Sequence, residues 1–121
     1  MLITTSGRRT GRPHRVMVDV LGHDEATDTY YVEAAYGGRA DWYRNIQATP
    51  VFQAQVGRRR FAARAARLST AQAGELLVAF SHRRPTCTRV ALRLVGVRVR
   101  TDDDVRQLAP AVLILVVTPL R

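Results

Sequence analysis

A six-residue segment near the start of the chain carries the residue types best suited to binding an anion. Residues 7–12 contain two glycines and three arginines. Glycine allows a positive φ and brings backbone N–H groups close to a ligand, and the guanidinium group presents a planar fork of donors that matches a phosphate or a carboxylate. We therefore predict a turn that holds an anion with Arg8, Arg9 and Arg12. The alternative is a solvated hairpin tip, which arginine-rich turns also form.

A second segment, residues 36–50, joins two glycines to a short helical pattern. Gly37 and Gly38 interrupt the strand pattern before them, Asp41 suits a helix N-terminus, and Pro50 is expected to end the helix. Trp42 and Asn45 are one helical turn apart and therefore share a face. We expect this face to anchor Trp42 in the core or to border a ligand groove, and both interpretations stay open.

Length and charge limit the protein to one domain with an affinity for anions. The chain has 121 residues, and its 19 basic residues, all arginine, outweigh 10 acidic residues to give a net charge of +9. We predict a single domain over residues 1–121. Its electrostatic field favours nucleic acid, anionic lipid or a polyanionic small molecule as a partner.

Several function classes are disfavoured by what the chain lacks. Cys87 is the only cysteine, so no internal disulfide forms. The three histidines are scattered without metal-ligand spacing, and we expect no metal site. No signal peptide is recognisable, and the apolar run 111–117 is too short to span a bilayer. These features predict a cytoplasmic protein.

Hydrophobic periodicity predicts a mainly antiparallel β structure. Strand patterns cover residues 2–5, 16–21, 29–35, 51–56, 58–68 and 111–117, and short helix patterns cover residues 41–47 and 86–94. A longer helix is expected from a capping box of Ser69 and Gln72 to the basic residues before Pro85, and its apolar face consists of Ala73, Leu76, Leu77 and Phe80. Thr101 is expected to cap the last helix. The strand at 16–21 is expected to form a hairpin with that at 29–35, and its alternation predicts that Met17, Asp19 and Leu21 share one face. The run 111–117 is expected to form a central strand buried on both sides. We predict an α+β, mainly β fold in which an antiparallel barrel carries short helices packed outside.

The order of the motifs resembles the deazaflavin-dependent nitroreductase family. The matching elements are Thr4-Thr5-x-Gly7-Arg8-x-Thr10-Gly11-x-Pro13, the strand that ends at Gly37-Gly38, Trp42-Tyr43-x-Asn45-Ile46-x-Ala48-x-Pro50, and Gln55-Val56. The resemblance implies a split β-barrel of the FMN-binding-like type. It also implies the cofactor coenzyme F-420 (8-hydroxy-5-deazaflavin), with FMN as the less favoured alternative.

A deazaflavin of this type carries a phosphodiester and an oligoglutamate tail, both anionic. The arginine turn suits the phosphate, with help from the N–H groups of Thr10 and Gly11, and the wider arginine surface suits the glutamates. The resemblance places the ring between residues 16–20 and the end of the strand at 34–36. The predicted cofactor-binding residues are Arg8, Arg9, Thr10, Gly11, Arg12, His14, Met17, Val18, Ala34, Ala35, Tyr36, Trp42 and Asn45.

The activity that the resemblance implies is hydride transfer from the reduced deazaflavin to an electron-poor small molecule: an enone, a quinone or a nitro compound. The catalytic residue stays open among Tyr36, Tyr43 and Asp19. Three features depart from the family pattern: the segment Met17-Val18-Asp19-Val20, where relatives often have a proline-leucine-x-tyrosine-like pattern, the residue Tyr36, and a shorter loop from Gly38 to Trp42. Asp19 stands where some relatives have a tyrosine that handles the substrate, and Tyr36 stands where a basic residue is common. Both changes bear on substrate choice.

Two other function classes fit the charge. A nucleic-acid-binding barrel would use residues 58–60 as cations and Tyr30, Tyr31 and Tyr36 as base-stacking groups. However, no RNA-binding signature is readable, so we expect no nucleic acid partner. A non-catalytic deazaflavin or flavin carrier would need the same cofactor site without turnover. A homodimer through the sheets and a peripheral contact with anionic lipid are further expectations.

Overall fold

The computed structural model describes residues 1–34, 37–83 and 100–120. The predicted helix at 86–94 and the site candidates Ala35 and Tyr36 lie outside these ranges. The chain divides into two compact units, one formed by Met1–Arg67 with Leu113–Arg121 and the other by Leu68–Val112. In the described part of the chain, no helix is long and apolar enough to cross a membrane.

The first unit is built on a seven-stranded antiparallel sheet. Its strands are β1 (Leu2–Ser6), β2 (Pro13–Met17), β3 (Val20–Asp24), β4 (Thr29–Ala34), β5 (Phe52–Val56), β6 (Arg59–Arg67) and β7 (Leu113–Pro119). Their order across the sheet is β2-β1-β5-β6-β7-β4-β3. The predicted 51–68 hairpin is confirmed as β5 and β6. The prediction of a central C-terminal strand is also confirmed, because β7 lies between β6 and β4 with Ile114 and Leu115 both buried.

Val18 and Asp19 close the sheet into a curled half-barrel. The Val18 N–H donates to Met1 O at 2.9 Å, next to β1, whereas Asp19 O accepts from the Glu33 N–H of β4 at 3.4 Å. Two consecutive residues therefore bond to segments near opposite edges of the sheet, which brings these edges close together. The prediction of one continuous strand over 16–21 is wrong for this reason: β2 pairs with β1, and only β3 forms the hairpin with β4.

A single core fills the concave side of the sheet, because alternate residues of each strand face it. Its most buried members include Ile3, Val32, Ala63, Leu115 and Val117. A bulge in β3, where the register shifts between Val20 and Gly22, inserts Leu21 as an extra residue. The bulge takes Leu21 out of the alternation, so Leu21 is buried although it was predicted to share a face with the exposed Met17 and Asp19.

Helix α1 (Asp41–Ala48) belongs to the same unit and follows a 3-10 turn over Gly37–Arg39. Asp41 is its first residue, as predicted, and the helix ends before Pro50 at Ala48, one residue beyond the predicted end. Trp42, Asn45 and Ile46 are buried on one face. Trp42 and Ile46 join the core of the sheet unit, so the predicted role of Trp42 as a packing anchor is confirmed.

The second unit contains α2 (Thr70–Arg83), α3 (Asp102–Arg106) and a 3-10 turn over Ala109–Ala111. The predicted capping at Ser69 and Thr101 is confirmed. The Gln72 N–H donates to Ser69 Oγ at 3.1 Å, and the Asp104 N–H donates to Thr101 Oγ1 at 3.2 Å.

The inward face of α2 differs from the predicted apolar face. The expected face was Ala73, Leu76, Leu77 and Phe80, but the buried residues are Ala73, Gly74 and Val78. A β-carbon added at Gly74 would lie 3.6 Å from the Ala109 β-carbon. This part of the helix therefore packs through small residues, which a search for large apolar side chains overlooks.

Candidate functional site

The turn between β1 and β2 has a backbone that is fixed by its own hydrogen bonds. The Gly7 N–H donates to Arg12 O and the Gly11 N–H donates to Gly7 O, both at 2.8 Å, and the Arg12 N–H donates to Thr10 Oγ1 at 3.2 Å. Gly11 adopts φ +70°, the left-handed region that favours glycine. The predicted help of the Gly11 N–H in anion binding is wrong, since that group is already used within the turn.

Two backbone N–H groups of the same turn are available to an anion. Within residues 1–34, 37–83 and 100–120, the N–H groups of Arg9 and Thr10 find no acceptor. They are consecutive and exposed, an arrangement typical of anion-binding turns. The Thr10 N–H is thus available to a ligand, and its contribution to anion binding stays a prediction. The Arg9 N–H is a second available donor, which the sequence did not suggest.

Gly7 supports the turn by allowing a close approach. A β-carbon at this position would lie 3.0 Å from His14 Cδ2 and 3.1 Å from Thr10 Oγ1. Such distances are tighter than most contacts of real β-carbons, so a side chain at Gly7 would require the imidazole or the hydroxyl to shift. His14, a predicted cofactor residue, is therefore placed directly beside the turn.

Arg8 is attached to helix α1. Its backbone N–H and its Nη1 both donate to Asn45 Oδ1, at 3.2 and 2.9 Å, and its Nη2 donates to Asp41 Oδ1 at 3.1 Å. A guanidinium group has five N–H donors, so three of them stay available after these two side-chain bonds. Arg8 is held in place while it can still bind an anion.

Asn45 is the buried centre of this arrangement. The residue is 1% exposed, and its Nδ2 donates to Thr5 Oγ1 at 3.0 Å. It was predicted to line the cofactor groove, but its amide points at the turn and at β1. Its observed contacts are those of a residue that positions Arg8.

Arg9 and Arg12 complete the cation set. Both side chains are exposed, and neither makes an ion pair or a hydrogen bond with any described residue. Together with Arg8, they place three guanidinium groups on one short turn next to two free N–H groups. Guanidinium and N–H donors in this arrangement fit the oxygens of a phosphate better than they fit a neutral ligand.

The other predicted cofactor residues are divided between core and surface. Val18 and Ala34 are buried in the core of the sheet unit, whereas Met17 is 71% exposed. The structure therefore brings Thr10, His14, Arg8 and Asn45 together at the turn. It places Met17 at the end of β2, Val18 directly after β2, and Ala34 at the end of β4. The assignment of these residues to the cofactor stays a prediction.

The catalytic candidates Asp19 and Tyr43 belong to segments other than the turn. Asp19 is exposed at the link between β2 and β3, and Tyr43 is half-buried on α1, where its ring meets the Trp42 ring edge-on at 6.4 Å. The structure adds Glu33, which sequence reasoning missed. Glu33 is half-buried on β4, and burial, together with the nearby Asp19 charge, raises the pKa of its carboxyl above the usual range.

Tyr30, one of the tyrosines predicted for base stacking, is not on a free surface. Tyr30 is 5% exposed, and its ring stacks on His23 at 4.0 Å and on Phe61 at 5.7 Å. Arg59, one of the three arginines at 58–60, donates to Asp28 Oδ1 at 2.8 Å and to the Tyr30 hydroxyl at 3.1 Å. The nucleic-acid interpretation therefore loses Tyr30 and one of its cations.

Comparison with known families decides the cofactor. The chain matches the family described as F420H2-dependent quinone reductase over residues 1–102. The protein belongs to this family. Coenzyme F-420 is accordingly its cofactor, and the protein is an F-420-dependent reductase. The donor set at the arginine turn fits the phosphodiester of this cofactor.

The fold of this reductase is similar to that of solved structures. One, described as an F420-H2-dependent reductase (FDR-A), has 18% identity and a TM-score of 0.61 and covers 96% of this chain and 90% of its own. A second has 15% identity and a TM-score of 0.54 and covers 98% and 71%. The predicted split β-barrel is confirmed. No curated protein matches the chain.

Proposed function

We propose that this F-420-dependent reductase transfers a hydride from the reduced cofactor to a quinone. The observation that carries the proposal is the β1–β2 turn, which holds three arginines and two free N–H groups within a chain of the quinone reductase family. Enones and nitro compounds share the electron-poor character of quinones and are the other acceptors to be tested. The protein itself contributes position and anion binding.

The turn would hold the cofactor by its phosphate. Arg9 and Arg12 are free to move toward the phosphate, whereas Arg8 is already oriented by Asn45 and Asp41. A donor that is fixed before binding loses less side-chain entropy when the ligand arrives. We therefore expect Arg8 to contribute specificity for the position of the phosphate, and Arg9 and Arg12 to contribute mainly charge.

The bound cofactor supplies the hydride, and a quinone needs one proton in addition to become a hydroquinone. Solvent, Tyr36 and Tyr43 are the predicted sources of this proton, and we add Glu33 as a further candidate. The raised pKa of Glu33 keeps its carboxyl protonated to a higher pH than an ordinary glutamate. An acid of this kind can donate a proton nearer to neutral pH.

The test measures binding and turnover separately. Quenching of the fluorescence of F-420 gives its dissociation constant, with FMN as the competing ligand. Loss of a charge-assisted bond costs about 1.5–3 kcal/mol, so Arg8→Ala should weaken F-420 binding by roughly ten- to hundred-fold. Arg9→Ala removes an exposed guanidinium without disturbing any described contact, and its effect reports on binding alone. Arg58→Ala, in the β5–β6 turn, is the control.

Each competing interpretation predicts a different result. FMN bound at least as tightly as F-420 would refute the cofactor site at this turn. Equal losses in Arg8→Ala and Arg58→Ala would indicate a diffuse field and no defined phosphate site. Reoxidation of reduced F-420 is then followed with a quinone, an enone and a nitro compound in parallel. Tight binding of F-420 without its reoxidation by any acceptor would favour the alternative of a non-catalytic deazaflavin carrier.

A further inference from the structure

Asp41 places a carboxylate beside the cations of the turn between β1 and β2. Its Oδ1 accepts from Arg8 Nη2 at 3.1 Å, and among the described residues no other carboxylate bonds to Arg8, Arg9 or Arg12. Asp41 is the first residue of α1, so the contact joins that helix to the turn. The carboxylate attracts Arg8, and it repels any anion that approaches the same guanidinium group.

Asn45 provides most of the attachment of Arg8. The backbone N–H and the Nη1 of Arg8 both donate to the buried Asn45 Oδ1, at 3.2 and 2.9 Å. The Asp41 side chain, in contrast, is 77% exposed, and an exposed ion pair contributes little to stability. The main effect of Asp41 at the turn is therefore the negative charge that it adds beside the donors assigned to the phosphate.

An anion bound to Arg8 lies close to this charge. Asp41 uses one N–H of Nη2 and Asn45 uses one N–H of Nη1, which leaves three donors on the same planar group. With ordinary hydrogen-bond lengths, an oxygen that accepts from these donors is about 5 Å from the Asp41 carboxylate. Because Coulomb repulsion scales with charge, a doubly charged anion is repelled about twice as strongly as a singly charged one.

F-420 and FMN differ in the charge of their phosphate. F-420 has a phosphodiester, which carries one negative charge. FMN ends in a phosphate monoester, whose second pKa of about 6 gives it about two negative charges at pH 8. Three guanidinium groups alone would favour the monoester, because it has more charge and one more free oxygen. A carboxylate beside them opposes that preference.

We propose that Asp41 makes this site select a phosphodiester over a phosphate monoester. The inference rests on the proposed function, because it takes the phosphate to be bound at the turn. Arg8, Arg9 and Arg12 attract both kinds of phosphate, and the Asp41 carboxylate weakens binding of the one with the second charge. Asp41 is thereby a specificity-determining residue that favours F-420 over FMN.

The experiment compares two deazaflavin probes that share one ring and carry no glutamate tail. One ends in a phosphate monoester and the other in its methyl diester, so the two differ by about one negative charge at pH 8. Fluorescence quenching at pH 8 and fixed salt gives both dissociation constants for wild type, Asp41→Asn and Asp41→Glu. Asparagine keeps an oxygen that accepts from Arg8 but has no charge, whereas glutamate keeps the charge.

Asp102→Asn is the matched control. Asp102 is also the first residue of a helix, α3, and its Oδ1 also bonds to a basic side chain, at 2.9 Å from His82 Nε2. The control variant therefore removes the same charge from the same helix position, at a residue that has no hydrogen bond to the turn. Thermal melting of all variants checks that the substitutions leave folding intact.

We expect Asp41→Asn to strengthen binding of the monoester by roughly three- to tenfold more than binding of the diester. This range follows from one extra charge pair about 5 Å apart, at an effective dielectric constant near that of water because Asp41 is mostly exposed. Asp41→Glu and Asp102→Asn should keep the wild-type ratio of the two dissociation constants. An unchanged ratio in Asp41→Asn, or an equal change in either of the other two variants, would overturn the proposal.

Arg8→Ala separates a failure of this inference from a failure of the proposed function. If wild type binds neither probe, or if Arg8→Ala leaves both affinities unchanged, the phosphate site at the turn fails and the role of Asp41 with it. If Arg8→Ala weakens binding of both probes while Asp41→Asn leaves their ratio unchanged, the phosphate site stands and only the role of Asp41 is refuted.

Discussion

Replacement of Asn45 by alanine tests whether the anion turn is positioned from inside the protein. The substitution removes one buried acceptor that takes two hydrogen bonds from Arg8, at 3.2 and 2.9 Å, and one donor that binds Thr5 at 3.0 Å. Thr5 is 2% exposed, so its hydroxyl would be left without its side-chain partner and out of reach of bulk water. The turn would also lose its backbone connection to α1.

The size of the effect follows from these contacts. Three hydrogen bonds at about 0.5–1.5 kcal/mol each, one of them to a charged donor, correspond to roughly 2–4 kcal/mol of unfolding free energy. For a domain of this size the melting temperature should fall by roughly 10 °C. Asn45→Asp keeps the oxygen that accepts from Arg8, and the Thr5 hydroxyl can rotate to donate to the new carboxylate. We therefore expect Asn45→Asp to lower the free energy of unfolding by less than Asn45→Ala does.

The measurement is a double-mutant cycle with Arg8→Ala, using chemical denaturation for stability and fluorescence quenching for F-420 affinity. Gln47→Ala is the control, because Gln47 is exposed on the same helix. If Asn45 acts through Arg8, the losses in affinity should overlap, so that Asn45→Ala adds little once Arg8 is gone. Additive losses within about 0.5 kcal/mol would refute the positioning role.

Two further predictions concern residues outside this contact. Glu33 has a raised pKa, so its contribution to stability is present below the ordinary pKa of glutamate and is lost as pH rises through the pKa of the folded state. Glu33→Gln should therefore raise the free energy of unfolding relative to wild type at pH 7 and not at pH 3. A difference between the two proteins that does not depend on pH would refute the assignment. Gly11→Ala meets no atom within 4 Å but forces alanine to φ +70°, which should cost about 1–2 kcal/mol and weaken F-420 binding. An unchanged melting temperature and affinity would show that the turn tolerates another backbone conformation.

Local patterns were sufficient for much of the fold. The helix at 41–48 follows from Asp41, the apolar face of Trp42 and Ile46, and the proline that comes after it. The hairpin of β5 and β6 follows from two alternating runs around Gly57, which adopts φ +58°. In each case the decisive residues are neighbours in the sequence, so propensity and periodicity contain the information.

Long-range pairing accounts for the errors. The run 16–21 reads as one strand, because its alternation continues through Val18 and Asp19, and only the closure of the sheet divides it between two edges. Leu21 is buried because a bulge changes its direction, and Glu33 acquires its raised pKa from burial and from Asp19. None of these outcomes is determined by the residues that are adjacent in the sequence.

By itself, the sequence determined which chemistry this protein offers: a glycine–arginine turn, the absence of paired cysteines, and a set of motifs in the order of one family. Tertiary structure alone decided which donors are free. Arg8 and Asn45 are 37 positions apart, and they meet only because α1 packs beside β1. The same packing leaves Arg9 and Arg12 without partners among the described residues. Hydrogen bonding between distant polar groups depends on their positions in the folded chain, and residue type alone cannot specify it.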